Sequence, residues 1–100
     1  MYIYNVTTNI DESIIPEWVE WMQTEHIPEV IATGCFTECR LCRIIAESQG
    51  GKAYSAQFIF PNLSAYHRYQ TQFAPALKAK TEAKFGQKVA SFRTVMEILD

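Results

Sequence analysis

The chain has 100 residues, 48% hydrophobic and 20% charged, with a formal net charge of −2, enough for one compact domain over residues 1–100 and too little for two cores. A slightly acidic chain lacks the basic face that a phosphate backbone requires, so no nucleic-acid partner is expected. No apolar run nears the ~18 to 20 residues that cross a bilayer, and Met1 leads straight into Tyr2 to Tyr4 without the basic and apolar regions of a leader, so the expectation is no membrane partner and a cytoplasmic location.

Tyr2 to Asn9 is β-branched and aromatic, and its alternation places Tyr2, Tyr4 and Val6 on one face of a strand and Ile3, Asn5 and Thr7 on the other. Asp11 or Ser13 can cap the helix that follows, with Pro16 in its first turn and an apolar arc through Ile14, Ile15, Trp18, Val19, Met22 and His26. Pro28 should break or kink this helix, leaving it in two parts, and Gly34 should end it in a left-handed conformation. Phe36 to Glu47 and Lys52 to Phe60 read as strands joined by the hairpin signature Ser48-Gln49-Gly50-Gly51. Asn62 should cap a second helix with the stripe Leu63, Tyr66, Gln70, Phe73, Leu77, kinked by Pro75 and stopped at Gly86. Val89 to Leu99 alternates as a last strand, with Phe92, Thr94, Met96 and Ile98 opposite Ser91, Arg93, Val95 and Glu97. The order βαββαβ predicts an α+β, ferredoxin-like split βαβ fold, a four-stranded antiparallel sheet with both helices on one face.

Helices on one face leave the other bare. Depending on register, that face carries Ile3, Ile59 and either Val95 or Met96 beside Asn5, Ser55, Gln57 and either Arg93 or Thr94. A face so mixed calls for a cover, and a domain of this size buries only about two-thirds of its surface by itself. Two such sheets face to face would form a barrel across a homodimer, its lumen composed like a small-ligand pocket. Charge is also unevenly divided: seven acids and no Lys or Arg up to Cys39, then nine bases against four acids. Opposite-sign helix faces lying side by side account for this division.

The stretches Tyr4-Asn5-Val6-Thr7, Trp18-x-x-Trp21-Met22, His26-Ile27-Pro28-Glu29-Val30, Thr33-Gly34-x-Phe36-Thr37, Tyr54-Ser55-x-Gln57, Phe73-Ala74-Pro75-Ala76-Leu77 and Phe92-Arg93-Thr94 resemble a family of short, uncharacterised bacterial proteins nearly end to end. That family is similar to the dimeric α+β barrel superfamily, which includes stress-responsive barrel proteins, muconolactone isomerases, antibiotic-biosynthesis and haem-degrading monooxygenases, and proteins of the ethyl tert-butyl ether degradation type. The resemblance implies a dimeric barrel. It implies no one activity, because the superfamily hosts several.

Several residues can carry chemistry. His26, near the end of the first helix beside a Pro break, can exchange protons near neutral pH, and its His-x-Pro signature resembles one in several barrel relatives; a histidine bonded to backbone at the helix break fits the pattern equally. Asn5, Ser55 and Gln57 can orient a ligand carbonyl or hydroxyl, or form a network that fixes subunit register. Arg93, Arg40 or Arg43 can take a carboxylate bidentately, or serve in ion pairs. The haem-degrading relatives use a strand-one Asn, a helix-two His and a pocket Trp; Asn5 and His67 match two of these places, while Trp18 and Trp21 both lie on the first helix at core-like spacing. Cys35, Cys39 and Cys42 read C-x3-C-x2-C, an iron–sulfur spacing, but on a strand Cys39 and Cys42 point to opposite faces and cannot share an ion. Three reduced thiols, no metal and no cofactor are therefore expected. No phosphate-binding loop, dinucleotide fingerprint, nucleophile elbow or paired-carboxylate motif occurs. The reading is a homodimeric barrel that binds a small molecule in its sheet-lined cavity, with cofactor-free proton transfer or oxygenation by His26 and with Asn5, Ser55, Gln57 and Arg93 orienting the ligand. The alternatives are a non-catalytic binding or stress-related dimer and a haem-degrading monooxygenase-like protein.

Overall fold

A computed structural model describes residues 1–45 and 52–100. Four strands, β1 (Tyr2–Ile10), β2 (Glu38–Arg43), β3 (Lys52–Phe60) and β4 (Val89–Glu97), form one sheet in the order β2-β3-β1-β4. All neighbouring pairs are antiparallel. Both crossovers are helical, one passing over β3 and one over β1, so this is the expected ferredoxin-like α+β arrangement.

Register assigns every strand residue a face. Tyr4 lies between Phe58 and Val95, and Val6 between Ala56 and Arg93, so these side chains project to one side of the sheet. That side is covered by the helices, and Tyr4, Ala56, Phe58 and Phe60 join Trp18, Val30, Tyr69, Leu77 and Phe85 in the core. Aromatic rings dominate it: Phe36 meets Tyr69 edge-on at 4.8 Å, and Tyr2 stacks on Phe60 at 5.2 Å. The bare face carries Ile3, Asn5 and Thr7 of β1, Ser55, Gln57 and Ile59 of β3, and Phe92, Thr94 and Met96 of β4. Of the residues that alternation left open, Thr94 and Met96 occupy the bare face. Arg93 and Val95 lie on the helix side.

The first helical segment starts where the sequence places it, with the Asp11 carboxylate accepting from the Ser13 backbone N–H and hydroxyl at 2.9 and 2.7 Å. These bonds hold the carboxyl below its ordinary value. The segment runs as a short 3-10 turn, then α1 (Ile15–Trp21), a π-helical turn over Met22–His26, and α2 (Ile27–Ala32). Pro28 leaves the helix in two parts, as expected, and does so by widening a turn. Its ring would crowd the carbonyl four residues back, and it offers no N–H to bond there; the preceding turn instead widens, with Ile27 N–H donating to the Met22 carbonyl. Gly34 takes φ +78 after α2, as expected.

The second helical segment differs more. One kinked helix was expected, whereas there are two, α3 (Leu63–Gln72) and α4 (Ala74–Phe85), broken at Phe73, where φ is −123°. The break falls two residues before Pro75 because the proline sits in the first turn of α4, the position where its missing N–H costs nothing. Asn62 caps α3 by accepting from Ala65 N–H at 2.8 Å. Leu63, the expected start of the buried stripe, is exposed, because the helix reaches the sheet only from Tyr66 onward; Tyr69, not Gln70, is its buried centre. The second strand is shorter than Phe36 to Glu47, though backbone bonds from Thr37 to Ile59 and from Ile44 to Ala53 extend its pairing at both ends. The Ser48 to Gly51 hairpin signature lies outside the described residues. Among those described, no helix is long and apolar enough to cross a membrane.

Two substitutions test the helix ends by chemical denaturation. Asn62→Ala should lower the unfolding free energy by about 1 kcal/mol through the lost cap. Gly86 has φ +57, and a Cβ there would meet nothing within 4 Å, so Gly86→Ala should cost about 1–2 kcal/mol from backbone conformation alone.

Candidate active site

The sheet's helix-covered side is not filled completely. Between α1, the π turn, α4 and the strands lies a cavity of about 300 Å³, lined among others by Tyr4, Trp21, His26, Tyr69 and Arg93. That volume is at the lower end for small-molecule sites.

His26 reaches this cavity because of the widened turn. Its ring stacks on Trp21, with centroids 4.8 Å apart and planes inclined by 20°, and Trp21 is fixed in turn by an edge contact with Phe85 at 5.1 Å. Its Nδ1 is buried and has no hydrogen-bond partner among the described residues. The structural alternative for His26, a backbone hydrogen bond through that nitrogen, is thus not what the protein uses. Burial pushes the imidazole below its ordinary value; Glu29 opposes the shift, while Lys80 and Arg93 add to it. Burial therefore favours the neutral ring near pH 7.

Arg93 faces the same cavity from β4. Its Nε donates to the Tyr4 hydroxyl at 3.1 Å, a diagonal contact made possible because Arg93 opposes Val6 on the sheet. Among the described residues no carboxylate pairs with it; the ion pairs present are Lys80 with Glu29 and Lys84 with Glu17. These two tie α4 to α2 and α1, which is where the acidic and basic halves of the chain meet. Lys78 and Glu82 of α4 complete the cavity's charged lining.

The remaining expected site residues lie on the other side of the sheet. The Ser55 hydroxyl donates to Asn5 Oδ1, Asn5 Nδ2 donates to Thr7 Oγ1 at 2.9 Å, and Gln57 stands opposite Asn5. Asn5 and Ser55 are buried. Thus the structure joins His26 with Arg93 and separates both from Asn5, Ser55 and Gln57, because a one-residue step along a strand reverses the face. Arg40 is exposed on the bare face and Arg43 is exposed at the helix-side edge of β2. Tyr4, Tyr69, Lys78 and Glu82 were not anticipated as cavity residues, and the only trace of the last two is their i, i+4 spacing on α4.

The haem reading does not fit these residues. His67 is exposed on α3, while Asn5 projects from the opposite side of the sheet, so the two cannot flank one group. Nor do the cysteines converge: Cys39 opposes Phe58 on the helix side and Cys42 opposes Ser55 on the bare face. Burial raises the Cys39 thiol to about 12, which keeps it protonated and poorly nucleophilic. No group of three metal-binding side chains forms among the described residues.

His26 gives the protein a pH signature. Because the folded value lies below the ordinary 6.5, the unfolded chain binds the extra proton in the window between the two, and stability must fall as the pH drops through it. Urea titrations from pH 8 to pH 5 should show the wild type losing more stability than His26→Gln; parallel curves would mean that the imbalance is absent.

Comparison with curated proteins finds no match. Solved structures do match in fold. An ethyl tert-butyl ether degradation (EthD) family protein from Bacillus halodurans is similar at TM-score 0.66 and 12% identity, with 99% of this chain and 100% of that one covered. A candidate antibiotic biosynthesis monooxygenase from Deinococcus radiodurans is similar at TM-score 0.61 and 16% identity, with 100% and 94% covered. A dimeric ferredoxin-like protein from an uncultured marine organism is similar at TM-score 0.58 and 11% identity, with 99% and 96% covered. At these identities the likeness is one of fold. The family model that matches residues 1–99 is a domain of unknown function, DUF4286, and to that family the chain belongs.

Proposed function

We propose that the protein is a cytoplasmic homodimer whose subunits each bind a small organic molecule in the cavity between helices and sheet, where His26 transfers a proton and Arg93 holds the substrate. The observation that carries this reading is the pairing, in one cavity of about 300 Å³, of an imidazole that burial favours as neutral with a guanidinium that no carboxylate pairs with among the described residues. Such a pair suits abstraction of a proton from carbon next to a carbonyl. The proton passes to His26, the electron pair moves to the carbonyl oxygen, and return of the proton to a second carbon completes an isomerisation without any co-reactant. A cofactor-free oxygenation would begin with the same abstraction.

The bare sheet face serves assembly in this reading. Phe92 and Met96 are large, apolar and exposed on it, next to Ile3 and Ile59, and one fold neighbour is described as dimeric. Asn5, Ser55 and Thr7 already satisfy one another there, which suits a rigid polar seam between subunits better than a ligand clamp. Three free cysteines accord with a reducing compartment.

Two measurements test the proposal. Native mass spectrometry should give twice the 11.5 kDa subunit mass, and Phe92→Asp with Met96→Asp should give the monomer; a wild-type monomer would remove the barrel. Incubation of enolisable keto acids in D2O should yield deuterated product with the wild type and at least about 100-fold less with His26→Gln. Equal exchange by both would exclude His26 as the base.

A further inference from the structure

Resting on the cavity reading above, we infer that the ligand is a small, flat-ringed monocarboxylate whose carboxylate is received jointly by Arg93 and the Tyr4 hydroxyl. A guanidinium presents donors on two edges, one including Nε and the other formed by the two terminal nitrogens. Tyr4 occupies Nε from the side, at 3.1 Å, which fixes the plane of the group and leaves the terminal edge for the two oxygens of a carboxylate. The same bond sets Tyr4: its oxygen accepts from Arg93, so its own hydrogen remains to be donated. Tyr4 is itself immobilised among Phe36, Phe58, Tyr66 and Tyr69, with centroids 5.4 to 6.2 Å away. The receptor is thus held in place before a ligand arrives.

Charge sets the valence. The cavity's charged lining is Arg93 and Lys78 against Glu82, and with a neutral His26 this leaves one uncompensated positive charge, matched by a monoanion. Shape sets the body. Trp18, Trp21, Phe58 and Tyr69 supply aromatic walls, against which a ring packs offset or edge-on, and about 300 Å³ leaves room for one or two rings. His26 stands in the same cavity, so the carboxylate anchors the molecule while the imidazole is left for its reacting end.

The test uses the whole protein and three one-ring probes of similar shape: benzoate, benzamide and benzylamine. Binding is followed by the imidazole NMR resonances, which come from only two histidines and are assigned with His67→Gln. Benzoate should bind at least about tenfold more tightly than benzamide, a margin that charge-assisted hydrogen bonds supply, and benzylamine should bind weakest. Bound benzoate should also move the His26 titration upward, because an anion then joins Glu29 against Lys80 and Arg93 around the ring. Arg93→Gln should abolish the benzoate preference while leaving benzamide binding intact. Tyr4→Phe, which keeps the ring in the core, should reduce that preference in part. Equal affinity for benzoate and benzamide overturns the carboxylate inference and leaves the cavity as a binding site. Failure of all three probes to perturb His26 overturns the cavity reading itself.

Discussion

Strand β1 pairs along all nine of its residues with β3 on one side and β4 on the other, and the face on which each polar strand residue lies follows from that double register. It lines up Tyr4 with Phe58 and Val95, which puts a ring that meets Phe36, Phe58, Tyr66 and Tyr69 beside β4. It sets Arg93 against Val6, one diagonal step from Tyr4, so that a guanidinium and a phenol meet where neither neighbour in sequence would bring them together. A slip of one residue in the β1–β4 pairing would send Arg93 to the bare face, exchange Val95 for Met96 in the helix-side layer and dismantle the cavity's polar end.

The second constraint is the proline pair Pro16 and Pro28. Pro16 starts α1 without loss, being in the first turn. Pro28 acts on the helix ahead of it, where the π turn absorbs the missing hydrogen bond and rotates His26 relative to a regular helix. The imidazole consequently lies flat on Trp21 and keeps Nδ1 unpartnered. An unsatisfied buried polar atom costs on the order of 1–3 kcal/mol, which the fold offsets through the aromatic core around it.

Electrostatics divides into a structural part and a functional part. The opposite charges of the chain's halves meet in Lys80 with Glu29 and Lys84 with Glu17, all well exposed, and such surface pairs contribute at most about 1 kcal/mol each. Arg93 is different: its partner is a phenol, the Tyr4 hydroxyl, and it adds only a minor part to the burial that pushes the His26 imidazole down. Arg93 is thus a cation of the cavity that the ion pairs of the described residues leave alone.

The periodicity, caps and breakers in the sequence determined the element order, the ferredoxin-like sheet, the bipartite first helix, the caps at Asp11 and Asn62 and the aromatic core, because those signals are local and repeat at 2.0 or 3.6 residues. His26 and Arg93 were legible as chemically capable residues for the same reason. Where they lie was not. Sequence alternation left both faces open to the last strand and grouped Arg93 with Asn5, Ser55 and Gln57; only pairing through β1, between residues some ninety positions apart in the chain, assigned Arg93 to the helix side. Likewise the sequence marked a break near Pro28, but whether it would end the helix or widen a turn depended on Trp21 and Phe85 packing behind it. Local pattern fixes which elements form, while register and packing, which no single segment contains, decide which side chains meet.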